Sequence, residues 1–289
     1  MNKPLFIAIF MMSFWLAGAA YADSGMADSD YVARMAHLHA GETPAATPAA
    51  TARPAVPVAG SAVQYATVDG NAVTGYLARP AHANGPLPGI IVIHEWWGLN
   101  DNIRAMADRL AGEGYQALAV DLYGGQAATT ADEAQTLMRH ALAHIPAVEA
   151  NLRQAYAYLA DTAHAPRIGV IGWCFGGGWS LQTALMFPHD IDAAVMYYGR
   201  PVTDRDALAT LDMPLLGLFG AEDDGITPQV VHRFETDLKA AGVDADIHIY
   251  PGAPHAFANP SGSAYRPEAA RDAWRRTIEF FAANLKDDR

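Results

Sequence analysis

Short, wholly apolar runs recur along this chain, and a stretch of helical spacing follows most of them. The clearest is Gly-Ile-Ile-Val-Ile, which ends at His94. A strand that is apolar on both alternating faces must be covered on both, as in a parallel sheet sandwiched between helices. The pattern predicts a strand over 89–94, a helix over 101–113, a strand over 116–120 and a helix over 131–161 broken near Pro146. A strand over 168–172 and a helix over 176–187 come next. Further strands fall at 193–197, 214–219 and 246–250, and further helices at 228–241 and 267–285. Strands alternating with helices define the α/β class, with a mostly parallel central sheet and helices on both faces. Two β-type runs, 63–68 and 73–78, flank Asp69-Gly70-Asn71 and predict an antiparallel hairpin ahead of the parallel strands. Residues 61–289 read as one domain without internal repeats.

The residues before this domain read differently. Lys3, an apolar stretch over 5–16 and Ala20-Tyr21-Ala22 have the charge, length and small-x-small ending of a secretory signal peptide. The stretch is short for a membrane span. Residues 1–22 are therefore expected to be removed. The mature chain would start near Asp23 and be exported to a periplasm, with no membrane attachment afterwards. Residues 23–60 read as a tail and linker, because 41–57 is rich in Pro, Ala and Thr and has no apolar period. Within it, 28–40 could form a short helix carrying Tyr31, Met35, His37 and His39. Two histidines alone do not define a metal site.

The chain has one cysteine among 289 residues and a formal net charge of −12. The single cysteine excludes an intramolecular disulfide and any multi-cysteine zinc site. The acidic balance argues against nonspecific binding to nucleic acid, which wants clustered Lys and Arg.

That cysteine sits where chemistry is expected. The strand at 168–172 runs into Gly172-Trp-Cys174-Phe-Gly176-Gly177-Gly178, a G-x-C-x-G nucleophile elbow with cysteine in the serine position. The following helix points its N-terminus at the thiol and favours a thiolate. A buried filler thiol is the alternative for an arbitrary lone cysteine. Here Cys174 occupies the one position at which such a turn displays its nucleophile. An acid and a histidine follow in the matching order. Gly220-x-x-Asp223 closes a predicted strand, and Glu222 and Asp224 beside it read as loop charges. His255 lies on the loop between the last strand and the last helix. Asp223 would orient the imidazole, and His255 would pair with the thiolate and carry protons.

The strand ending at His94 continues into Glu95-Trp96-Trp97-Gly98. This loop supplies the second oxyanion donor in folds with such an elbow, so the backbone N–H groups of Trp96 and Phe175 are the expected pair. A carboxylate at Glu95, closing an apolar strand, is costly unless paired. It is read either as half of a salt bridge to Arg104 or Arg109, or as a group controlling the ionisation of Cys174. Trp96, Trp97, Trp173 and Tyr198 suggest an aromatic-lined pocket.

Together these residues resemble the dienelactone hydrolase (carboxymethylenebutenolidase) family of the α/β-hydrolase fold. The resemblance covers about 61–287. It rests on His94-Glu95-x-x-Gly98, Asp121-Leu-Tyr123, Gly172-x-Cys174-x-Gly176-Gly177, Tyr197-Tyr198-Gly199, Gly220-x-x-Asp223 and Gly252-x-x-His255-x-Phe257. It implies a Cys174-Asp223-His255 triad, hydrolysis of an enol lactone (dienelactone to maleylacetate) through an acyl-enzyme, and neither metal nor organic cofactor; the broader reading is an exported hydrolase of a small carboxylic ester or lactone. It also implies that Glu95 keeps the resting thiol protonated and takes its proton when substrate arrives. Trp97, Tyr198 and Asn259 are the expected substrate contacts. The chain departs from the family at Asn259, where an arginine for the substrate carboxylate is expected soon after the histidine. The nearest later arginine is Arg266, and only Arg139 follows Asp121-Leu-Tyr123 closely. The competing readings are a noncatalytic binding protein on the same scaffold and a redox role for the thiol. The second lacks a resolving cysteine.

Overall fold

The computed structural model describes residues 28–44 and 53–286. The expected leader, 1–22, lies outside the described residues. The elements are α1 (Asp28–Leu38), β1 (Val58–Val68), β2 (Asn71–Pro80), β3 (Gly89–Ile93), α2 (Asp101–Gly112), β4 (Gln116–Ala119), α3 (Ala131–Ala143) and α4 (Ile145–Ala157). They continue with β5 (Ile168–Trp173), α5 (Phe175–Met186), β6 (Ala193–Tyr197), α6 (Arg205–Leu208), β7 (Leu215–Gly220), α7 (Pro228–Ala241), β8 (Ala245–Tyr250) and α8 (Pro267–Phe281).

The eight strands form one sheet in the order β1-β2-β4-β3-β5-β6-β7-β8. The β1–β2 hairpin is antiparallel and joins β4 antiparallel; every other pair is parallel. β3 to β7 are buried at every residue. Side chains alternate across a strand, so such burial requires cover on both faces. The helix expected over 131–161 is two helices, because Pro146 cannot continue α3 but fits the first turn of α4.

Strand order fixes the place of the site. The chain runs from β3 out to β4, then returns to pair β5 on the other side of β3. Ligand sites in open parallel sheets lie at such a reversal, beyond the carboxyl ends of the strands. Ile93 is in register with Gly172, so the loops after β3 and β5 leave the sheet side by side. β6, β7 and β8 then bring the ends of their own loops alongside.

The stretch 23–60 is not all tail and linker. Its last residues, from Val58, already belong to β1. Its first described part, α1, is a helix with Tyr31, Val32 and Met35 in the core. The physical reason is spacing: Tyr31, Met35 and His39 recur every four residues and so share one face. Arg200 fastens the start of α1 through an ion pair to Asp28 at 2.9 Å.

Candidate active site

Cys174 lies between β5 and α5 with φ 55° and ψ −117°, a conformation that L-residues seldom adopt. Its N–H donates to the Tyr197 carbonyl at 3.0 Å. The turn closes only with glycine on either side. A Cβ on Gly172 would stand 2.0 Å from the Gly176 carbonyl oxygen. One on Gly176 would stand 2.4 Å from the carbonyl oxygens of Ile93 and His94. The same close approach ties the elbow to the end of β3.

Asp223 and His255 meet as the sequence order predicts. Asp223 Oδ2 lies 2.7 Å from His255 Nδ1. Its Oδ1 accepts the N–H groups of Gly225 and Ile226, both at 2.8 Å. Its neighbours Glu222 and Asp224 are exposed. The other ring nitrogen of His255, Nε2, is buried without a well-formed hydrogen bond, in reach of the Cys174 thiol. Burial works against a charged imidazole here, but the charges of Asp223 and Cys174 outweigh it and hold His255 well above its ordinary value. Burial likewise pushes the Cys174 thiol up, and the His255 and His39 imidazoles bring it down to about 6. Tyr198, 5.1 Å from the His255 ring, and Ala256 also have positive φ, 37° and 57°. Backbone strain is thus concentrated around this imidazole.

The loop after β3 is fixed by His94. Its Nε2 accepts the Leu122 N–H at 3.2 Å, so Nδ1 carries the proton and donates to the Glu95 carbonyl at 2.6 Å. Burial lowers the His94 pKa and keeps the ring neutral. Among the described residues, no protein acceptor takes the backbone N–H of Trp96 or Phe175. Two free amides at the ends of β3 and β5 are the arrangement that an oxyanion requires.

Glu95 pairs with neither arginine. Arg104 contacts Asp101 at 2.9 Å, and the Arg109 guanidinium lies over the Trp274 ring. Instead, Asn259 Nδ2 donates to Glu95 Oε2 at 2.7 Å and the Tyr198 hydroxyl donates to Oε1 at 3.5 Å. Burial, and then the negative charge at Cys174, push the Glu95 carboxyl up to about 8. Tyr198, Asn259, Trp173 and Glu95 line a cavity of about 20 Å³, room for about one water. None of its lining residues is cationic. Trp97 does not line it; this ring packs against Trp96 and faces His39.

The residues that sequence reasoning did not assign to the site come from the N-terminal segment. Met35 Sδ lies 3.6 Å from Cys174 Sγ. The His39 ring stacks on Trp96 at 4.8 Å and meets His255 edge-on at 5.7 Å. His39 Nδ1 lies 2.7 Å from Glu42 Oε2, and Glu42 Oε1 accepts the Ser263 N–H and hydroxyl at 3.1 and 2.5 Å. Burial opposes ionisation of Glu42, but His39 and Ser263 hold its carboxyl down at about 2. Against the burial that would discharge it, contact with Cys174 and Glu42 raises the His39 imidazole. The four-residue spacing of Tyr31, Met35 and His39 was the available signal. A much larger cleft, about 730 Å³, lies elsewhere, between the hairpin and α3–α4. It holds no nucleophile of this kind.

An α/β sheet with a strained cysteine at the elbow and a histidine–carboxylate pair beside it defines an α/β-hydrolase. Residues 73–285 match the model of the dienelactone hydrolase family. The chain belongs to that family. It is 34% identical over 224 residues to Protein usf of Aquifex pyrophilus, covering 75% of this chain and 96% of the relative. A protein of Escherichia coli strain K12, provisionally named carboxymethylenebutenolidase, is 32% identical over 257 residues, covering 83% of this chain and 94% of its own. The crystal structure of a provisionally assigned dienelactone hydrolase from Klebsiella pneumoniae superposes with a TM-score of 0.71 at 32% identity. It covers 78% of this chain and 99% of the other.

Proposed function

We propose that the protein hydrolyses a small carboxylic ester or lactone, with Cys174 as nucleophile, His255 as proton carrier and Asp223 as its orienting partner. The observation that carries this reading is the free, buried Nε2 of His255, held by Asp223 and turned to the strained Cys174. The thiolate attacks the acyl carbonyl, and the oxyanion takes the Trp96 and Phe175 amides. Each such donor contributes about 3 kcal/mol to a developing oxyanion. His255 gives its proton to the leaving oxygen, which departs and leaves a thioester on Cys174. Water then attacks the thioester with His255 as base, releasing the acid and the thiol.

The electrostatics favour the proton on Glu95 and the thiol ionised at neutral pH. Glu95 then acts as a neutral donor or acceptor beside the acyl group rather than as the keeper of a protonated thiol. The wall of Trp173, Tyr198 and Asn259 lacks a cation. That supports an uncharged acyl group over a substrate anchored by its own carboxylate. Access to Cys174 requires Met35 to move aside.

Cys174→Ala is expected to lower turnover of a small chromogenic ester by ~10⁴-fold or more while the fold is kept. Undiminished turnover would remove the nucleophile. We also propose that the chain is exported after cleavage near Asp23. Mass spectrometry of the mature N-terminus tests this, and a mature chain starting at Met1 would refute it.

A further inference from the structure

Two imidazoles, not one, face the Cys174 sulfur. His255 and His39 are built alike. Each holds its Nδ1 2.7 Å from a carboxylate oxygen, of Asp223 and of Glu42 respectively. Each leaves Nε2 buried without a well-formed hydrogen bond, and each residue is only 3% exposed. An orphaned buried ring nitrogen is costly and asks for a partner. The imidazole nitrogens and Cys174 Sγ lie within 4.8 Å of one another. A fourth donor, the Met35 thioether, is 3.6 Å from that sulfur.

The hydrolytic reading uses only the His255 half of this arrangement. A carboxylate on the far nitrogen of each ring is the arrangement that fixes and strengthens a metal-ligating histidine. Two sulfurs bound to one tetrahedral ion at ~2.3 Å each stand ~3.8 Å apart, close to the 3.6 Å found. Two imidazoles, a thiolate and a thioether are a soft set. The thioether favours Cu(I), whereas zinc sites are built from thiolate, imidazole and carboxylate.

We propose that Cys174, His39, His255 and Met35 form a four-coordinate Cu(I) site. The ion binds the Cys174 thiolate and the Nε2 atoms of His39 and His255, whose protons leave to solvent as the sulfur–copper and nitrogen–copper bonds form, with no change of oxidation state. Ligand atoms up to 4.8 Å apart must close to the ~3.3–3.5 Å that separates two ligands of one tetrahedral ion, an inward contraction of ~1.5 Å at most. Because the ion occupies the sulfur lone pair and the His255 nitrogen, it holds the enzyme inactive. This last consequence rests on the hydrolase reading above; the binding itself does not.

The test reads binding without substrate. The full chain, reduced and anaerobic, is titrated with Cu(I) against a coloured Cu(I) chelator. One equivalent should be withdrawn from the chelator, with an X-ray absorption shell of mixed sulfur and nitrogen. Met35→Leu keeps size and apolarity but lacks the thioether, and should weaken binding at least ~10-fold. His39→Ala should do the same, and Cys174→Ala should abolish it. No copper withdrawn, wild-type affinity in both Met35→Leu and His39→Ala, or a shell without sulfur would each overturn the site. A chain that binds Cu(I) yet hydrolyses no ester would sink the enzyme reading and leave the metal site standing. Inhibition by one equivalent, reversed by the chelator, is expected if both hold.

Discussion

The two walls that close on the Cys174 sulfur are built to the same local plan by different parts of the chain. On one wall, β7 and β8 present Asp223 and His255 from loops held by the parallel sheet. On the other, the turn that follows a helix far upstream in sequence presents His39 and Glu42. The Asp223 carboxylate is fully buried and has two backbone donors besides His255. Glu42 is partly open to solvent and leans on Ser263. The same chemical pair is thus rigid where strands carry it. It depends on docking where a single helix carries it. Equal geometry does not imply equal roles: only the sheet wall has the fixed position that a reaction step demands.

The sharpest way to break this comparison is to remove each carboxylate in turn. Asp223→Asn should lower ester turnover by ~10³–10⁴-fold, since the imidazole loses its orienting acceptor. Glu42→Gln should change it by less than ~10-fold. Equal losses in steady-state kinetics would make both walls catalytic and the distinction void.

Docking of the helical wall has its own measurement. Met35 is fully buried, so Met35→Ala should lower stability by ~2–5 kcal/mol in denaturant unfolding. A loss below ~1 kcal/mol would mean that α1 is not docked in solution.

A smaller, pH-dependent effect belongs to the sheet side. The Glu95 carboxyl is held at about 8 in the folded chain against an ordinary value of 4.5. The folded state therefore binds this proton more tightly than the unfolded state. Stability is full below about 4.5, falls as pH rises, and stops falling above about 8. Glu95→Gln should flatten this slope, and urea midpoints of both chains from about pH 5 to about pH 9 would check it. Parallel curves would place the Glu95 proton elsewhere. The smallest effect is expected at Asp28→Asn, which removes a half-exposed partner of Arg200 and should cost ~0.5 kcal/mol in the same assay.

Much of the fold was legible because its signals are local. Apolar strand runs, helical periods and Pro146 each act within a few residues, and the parallel order follows from their alternation. Cys174 was legible for the same reason, since the glycines that permit its turn are its neighbours. Asp223 and His255 could be placed from their loops. Glu95 was read from sequence as an oddity with two candidate arginine partners. The structure gives it Asn259 and Tyr198, which reach it from loops remote in sequence.

The N-terminal segment shows where local reasoning stops. The short helix expected over 28–40 forms, and its spacing of Tyr31, Met35 and His39 marks a buried face without naming what buries it. By itself the sequence determined the α/β class, the cysteine elbow and the order of the residues behind it. Only the tertiary structure decided that a second imidazole and a thioether close over the same sulfur. Spacing along a chain fixes which side chains share a face, while the partner of that face is set by packing between segments far apart in sequence.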